Sequence, residues 1–229
     1  FVADDWSWPH AGILGDPVVK TPNFDRITNE GVLFEHAFVS TPSCTPSRLS
    51  ILTGQHHWRL QEGDSLGGSL REEYDAYTEM LQAAGYRIGR FGKGVWPSKH
   101  AFRHRDSFGE RFRSFDAFLK DRKSDEPLCY WHGGQDPHRP YEFGIGVQSG
   151  MPLSKVLVPA CLPDNRIVRS DVADYLWEVQ RFDHEIGEVV KRLEAMGELE
   201  DTILVVSSDN GMPFPRCKAT LNDQGTRVP

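Results

Sequence analysis

Apolar and polar positions along this chain alternate between two kinds of block. Short apolar runs of strand character give way to longer stretches in which apolar residues recur every three or four positions. That succession predicts an α/β fold, a mostly parallel central sheet with helices on both faces. The opening Phe-Val-Ala reads as the end of a strand. Thr21-Pro22 starts a short helix over residues 23–30 that Gly31 closes, proline in the first turn and glycine past the last. Residues 32–38 are mixed but strand-like, and Pro46 opens a second helix behind Cys44. Residues 55–70 are polar and Gly-rich, a long surface loop carrying His56, His57, Trp58 and Arg59. Thr78 caps a helix through Ala84, and residues 86–91 form a strand leaving through Gly92-Lys93-Gly94. A further strand, 128–131, leaves through Gly133-Gly134 into Asp136-Pro137-His138-Arg139-Pro140. The longest helix covers 171–196 behind Ser170, with Tyr175, Leu176, Val179, Phe182, Ile186, Val189, Val190, Leu193 and Met196 as one buried stripe. Residues 202–206, Thr-Ile-Leu-Val-Val, are the strongest strand, fit for the centre of a parallel sheet, and run into Ser208-Asp209-Asn210-Gly211.

This arrangement places Asp4-Asp5, Lys93, His138 and Asp209-Asn210 just past the carboxyl ends of predicted strands, where open α/β sheets bind ligands. Polar residues two hundred positions apart thereby become neighbours. Asp4, Asp5 and Asp209 would repel one another without a partner, so a divalent cation is expected. Oxygen donors favour Ca²⁺ or Mg²⁺ over zinc. Each piece has a plainer reading as a turn or a solvated side chain; their coincidence is what points to a site.

The pentapeptide Cys44-Thr45-Pro46-Ser47-Arg48 adds a nucleophile. Pro46 suits the first helical turn, so the orphan N–H groups and positive end of that helix face the Cys44 side chain. Arg48 lies about one turn on and can return its guanidinium to the same spot. A buried structural cysteine at a helix start is the plainer alternative.

Composition narrows the field. Hydrophobic and charged fractions of 38% and 26% are those of a globular domain, and a net charge of −7 argues against a nucleic-acid partner. No stretch is long or apolar enough to span a bilayer. Cys44, Cys129, Cys161 and Cys217 show no metal-type spacing, and with Cys44 set aside three cannot all pair within one chain, which disfavours a disulfide scaffold. Within its 229 residues the chain opens mid-strand and stops at Arg227-Val228-Pro229, so it is expected to be an internal fragment cut at both ends.

The pentapeptide resembles the formylglycine signature Cys-x-Pro-Ser-Arg of type I sulfatases, within the alkaline phosphatase superfamily. The likeness extends over nearly the whole chain and implies that residues 1–229 are the N-terminal portion of a catalytic domain, its first strand and C-terminal part missing. Asp4-Asp5 and Asp209-Asn210-Gly211 resemble the family's metal ligands, Gly92-Lys93 its sulfate-holding lysine, and Pro137-His138 the imidazole on the leaving-group side. Lys218 resembles the second lysine, which bridges sulfate and leaving oxygen. Residues 208–215 and Asp136-Pro137-His138-Arg139 are similar to the heparan N-sulfatase (sulfamidase) branch and its bacterial relatives. The resemblance implies a sulfatase whose Cys44 is oxidised to 3-oxoalanine (formylglycine) by a formylglycine-generating enzyme or its anaerobic equivalent. It implies Ca²⁺, or Mg²⁺, bound by Asp4, Asp5, Asp209, Asn210 and residue 44, and catalysis by Cys44, Arg48, Lys93, His138 and Lys218. The hydrate of residue 44 attacks sulfur, His138 or Lys218 protonates the leaving group, and loss of sulfate restores the aldehyde. A sulfated sugar is the implied substrate, with no nucleic-acid or membrane partner, and a periplasmic, secreted or lysosomal-type location. Phosphate or phosphonate ester hydrolysis, or sulfated-glycan binding without catalysis, are the rival functions on this architecture. One departure stands out. Many sulfatases read Gly-Lys-x-His, whereas Val95 follows Gly94 here; His100 and His104 are near enough in sequence to substitute, a structural or solvent role being the plainer reading of each.

Overall fold

In a computed structural model that describes residues 1–95, 107–123 and 125–229, five strands form one parallel sheet in the order β4-β3-β5-β1-β6. They are β1 (Val2–Ala3), β3 (Arg87–Gly92), β4 (Glu110–Phe112), β5 (Leu128–Gly133) and β6 (Ser207–Ser208). A two-stranded antiparallel ribbon joins β2 (Ala37–Phe38) to β7 (Arg227–Val228). The helices are α1 (Pro22–Glu30), α2 (Cys44–Thr53), α3 (Tyr77–Ala83), α4 (Phe115–Leu119), α5 (Ile145–Gln148), α6 (Arg166–Met196) and α7 (Asp223–Thr226).

Period-two alternation sorts the core into two layers. On one face Val2 and Trp131 pack with Leu49 and Leu52 of α2. On the other, Ala3 meets Phe24 of α1 and the α6 stripe from Val172 to Val190, while Tyr130 lies with Phe115, Phe118, Val189 and Leu193. Helices therefore cover both faces, as the alternation predicts. Among the described residues no helix is long and apolar enough to cross a membrane.

Boundaries moved where side chains, and not apolar rhythm, set them. Helix α6 starts at Arg166, five residues before the predicted 171, because Asn165 Oδ1 accepts from the Ile167 and Val168 N–H groups at 3.0 and 3.1 Å. Helix α1 begins at Pro22, but its free N–H groups are capped from α6: Asp183 accepts from Phe24 N at 2.7 Å and Asn23 N at 3.2 Å. Thr78 is not a cap; it lies inside α3 and its hydroxyl donates to the Ser107 carbonyl. Residues 32–38 yield only the two-residue β2, with Val32 and Phe34 left exposed. Residues 202–206 do not form a central strand. They run beside Phe1 on the β6 side of the sheet: the Phe1 amino group donates to the Val205 carbonyl and Ser207 N to Phe1 O. Ile203 and Val205 face outward, 91% and 66% exposed, while Leu204 and Val206 pack on the core.

The strand ends come level at one rim. Gly92 pairs with Gly133, Gly133 with Val2, and Ala3 with Ser208. A Cβ on Gly92 would lie 2.2 Å from the Gly133 carbonyl oxygen, so glycine is needed for β3 and β5 to close against each other as β3 exits. The next residue on β3 is Lys93.

Candidate active site

The rim gathers Asp4, Asp5, Cys44, Lys93, His138, Asp209, Asn210 and Lys218, with Arg48 beneath it. Asp4 and Asp5 follow β1, Lys93 follows β3, His138 lies in the turn after β5, and Asp209-Asn210 follow β6. Cys44 is the first residue of α2, and Lys218 arrives on the loop between β6 and α7. Pro42, Ser43, Cys44, Leu66, Lys93, His138, Pro213, Phe214, Lys218 and Ala219 line an open cleft of about 460 Å³. Of the 55–70 loop only Leu66 lines it. His56 and Trp58 instead stack on each other outside the cleft, ring centroids 4.2 Å apart.

Asp4, Asp5, Cys44 and His138 each offer a ligand atom within 4.8 Å of the others. Asp209 and Asn210, expected in this set, adjoin it through Asp5. Asp5 N donates to Asp209 Oδ1 at 3.1 Å, and Asn210 Nδ2 donates to Asp5 Oδ1 at 2.6 Å. Asp5 holds this place with φ +82°, a strained conformation for a residue with a Cβ. Two buried oxygens, Asp5 Oδ2 and Asn210 Oδ1, have no hydrogen-bond partner, although such atoms are normally satisfied. Orphaned oxygens beside three buried carboxylates fit a hard divalent cation. The Asp4, Asp5, Asp209 and Asn210 oxygens suit the expected ion, and His138 lies beside them.

Two lysines answer this negative charge. Lys93 donates to Asp4 Oδ2, and Lys218 Nζ lies 2.6 Å from Asp5 Oδ1. Burial would raise the Asp4 carboxyl, but Arg48, Lys93 and His138 outweigh it and hold Asp4 low. Burial and the neighbouring Asp4 raise Asp5. Burial works to lower the Lys218 ammonium, yet Asp5 and Cys44 prevail and hold it above its usual range. The Cys44 thiol, whose Sγ lies 3.4 Å from Asp4 Oδ1, is pushed up to about 12 by burial, Asp209 and Asp4.

Arg48 differs most from its expected posture. Its guanidinium does not face the cleft but is fully buried beneath it. Nε donates to Asp209 Oδ2 at 2.6 Å, Nη1 to the Lys93 carbonyl at 3.0 Å and Nη2 to the Ala3 carbonyl at 3.3 Å. One side chain thus ties the exits of β1, β3 and β6 together, a placement sequence spacing could not give. Val95, at the position where many sulfatases carry histidine, is buried among Leu49, Leu52 and Trp131 and offers nothing to the site. His100 and His104 lie outside the described residues.

Sequence reasoning missed a clamp beside His138. Arg139 donates to Asp171 of α6 at 2.9 and 2.6 Å and to the Pro213 carbonyl at 3.2 Å. Its guanidinium sits over the Tyr141 and Phe214 rings at 4.6 and 4.7 Å. It joins the His138 turn to the loop bearing Lys218. The Asp-Pro-His-Arg motif contained the signal, but nothing in it named Asp171.

The family model described as "Sulfatase" matches residues 1–134 and 97–229. Human N-sulphoglucosamine sulphohydrolase is 30% identical over 100% of this chain and 53% of its own length. An ulvan-active sulfatase from Formosa agariphila is 26% identical over 100% of this chain and 54% of its own. The chain thus spans about half the length of these curated relatives. Among solved structures, the phosphonate monoester hydrolase of Silicibacter pomeroyi superposes with a TM-score of 0.78 at 17% identity, over 100% of this chain and 66% of that one; at that identity the likeness is one of fold.

Proposed function

The chain belongs to the sulfatase family, and on that premise we propose that residues 1–229 are part of the catalytic domain of a formylglycine-dependent sulfatase. Its substrate would be a sulfate ester or N-sulfate of a sulfated carbohydrate. One observation carries the reading: Cys44, at the mouth of α2, shares a single cleft with Lys93, His138 and Lys218 and touches Asp4. The likeness to human N-sulphoglucosamine sulphohydrolase favours a sulfated amino sugar within that class.

Asp4, Asp5, Asp209 and Asn210, with residue 44, would hold a Ca²⁺ or Mg²⁺ ion. When bound, the ion would draw charge from the sulfate and from the attacking oxygen. The Cys-x-Pro-Ser-Arg pattern of residues 44–48 at the mouth of α2 supports conversion of residue 44 to the aldehyde, whose hydrate would attack sulfur. Lys93 and Lys218 flank Cys44 in the cleft and are placed to hold the non-bridging oxygens. A lysine held above its usual range gives up its proton reluctantly, so His138, 37% exposed, is the better donor to the leaving group, and Lys218 acts by charge. Arg48 acts from below, fixing Asp209 and the strand exits; it is a positioning residue.

Phosphonate ester hydrolysis is the second reading, favoured by the superposition on a phosphonate monoester hydrolase. Turnover of an aryl sulfate against the matched aryl phosphonate separates the two. A higher kcat/KM for the sulfate, abolished in Cys44→Ala with an unchanged circular dichroism spectrum, is expected; preference for the phosphonate, or retained turnover in Cys44→Ala, would overturn the proposal.

A further inference from the structure

Two cysteines outside the site meet where the segment before α6 reaches the Lys218 loop. Cys161 Sγ lies 3.6 Å from the Pro215 carbonyl oxygen and 3.8 Å from Gln224 Oε1. Cys217 Sγ lies 3.7 and 3.6 Å from the same two atoms. The two thiols share both acceptors, which brings them to the same spot. Both are free; Cys161 is exposed and Cys217 is buried. Neither takes part in the chemistry proposed above, and the sequence alone disfavours a disulfide framework.

We propose that Cys161 and Cys217 are a disulfide-forming pair whose bond braces the Lys218 loop against the start of α6. Turn bonds, Cys217 N to the Phe214 carbonyl and Lys218 N to the Met212 carbonyl, shape the loop, and Arg139 to the Pro213 carbonyl, Ala219 N to the Pro42 carbonyl and Lys218 to Asp5 tie it to its surroundings; the disulfide would add a covalent tie to the segment before α6. Formation consumes a low-molecular-weight disulfide such as glutathione disulfide. Exposed Cys161, as the thiolate, attacks one glutathione sulfur; a mixed disulfide forms and one glutathione thiolate leaves. Cys217 then loses its proton, which the departing glutathione thiolate takes up, and its sulfur attacks Cys161, releasing the second glutathione. Two protein thiols are oxidised and one glutathione disulfide is reduced to two thiols. The order follows from access: Cys217 is buried, and burial pushes its thiol up to about 12, so the exposed partner reacts first. The linkage closes a loop that contains all of α6, and cross-links over long loops constrain the unfolded chain most.

The test does not depend on sulfatase activity. The purified protein is equilibrated with excess glutathione disulfide, free thiols are blocked with iodoacetamide, and the chain is digested without reduction. A linked peptide pair containing Cys161 and Cys217 is expected, lighter by two hydrogens than the two thiol peptides together, with Cys129 alkylated. The oxidised protein should melt higher than the reduced one, by on the order of 5 °C, and Cys161→Ser, a change at an exposed position, should lose both the linked pair and the Tm difference. Alkylation of both Cys161 and Cys217, or a glutathione adduct on Cys161 with no linked pair, would overturn the pairing; a linked pair with no rise in Tm would overturn its bracing role.

Discussion

Lys218 reaches Asp5 from a loop, with its backbone N–H tied to the Met212 carbonyl at 3.0 Å and its ammonium 2.6 Å from Asp5 Oδ1. A cation held so beside Cys44 can stabilise charge that grows on a leaving oxygen, an interaction stronger in the transition state than in the ground state. Lys218→Ala is therefore expected to lower kcat by about 10²-fold or more with a smaller change in KM, and Lys218→Arg to restore part of it. Steady-state kinetics on an aryl sulfate check this; a change confined to KM would mean that Lys218 only binds. Asp4-Asp5, Lys93, His138 and Asp209-Asn210 could be placed from the sequence because they follow strand exits, and Cys44 because it opens a helix; Lys218, on a loop, was placed by resemblance alone. What was not legible was orientation. Arg48 was expected over the substrate, yet the Lys93 and Ala3 carbonyls and the Asp209 carboxylate, all present at the rim, satisfy its donors below the site. Only the three-dimensional register of β1, β3 and β6 reveals that those acceptors converge.

Helix starts in this protein show how far local sequence reaches. Helix α6 is capped from within its own sequence by Asn165, whereas α1 is capped from α6 by Asp183. Asn165→Ala removes an exposed cap and is expected to cost about 1 kcal/mol. Asp183→Ala strips a buried carboxylate that serves two backbone N–H groups and the Asn23 side chain, and is expected to cost about 2–3 kcal/mol. Urea denaturation of both variants orders them; an Asn165 cost equal to or above that of Asp183 would contradict the assignment. The apolar run 202–206 leads into β6, where Ser207 and Ser208 pair with Val2 and Ala3 and so deliver Asp209 and Asn210 to the rim.

For the molecule as a whole, burial of acidic groups around the rim should appear in the pH dependence of stability. Asp136, in the turn that leads to His138, is raised to about 6 by burial, which Glu178 and Glu185 reinforce and Arg181 opposes. Because the folded state holds this proton more tightly than the unfolded chain, the contribution of Asp136 is full below pH 4 and is lost as pH rises toward 6. Asp136→Asn, which stays neutral throughout, should flatten that part of the curve by about 1–3 kcal/mol relative to wild type. Parallel urea midpoints of the two proteins between pH 4 and pH 7 check this; identical slopes would contradict it. The five-stranded sheet gives the rim its reach, bringing Asp4 within bonding range of Cys44 and Lys93, and Asp5 of Asp209 and Lys218. We propose that this rim works on sulfate through an oxidised residue 44, and the mass of the tryptic peptide spanning residues 27–48, taken from protein that hydrolyses an aryl sulfate, decides it. An aldehyde at residue 44 is expected, in a peptide lighter than the thiol form by exchange of sulfur and two hydrogens for oxygen. Full turnover by protein whose residue 44 is entirely unmodified cysteine would contradict it.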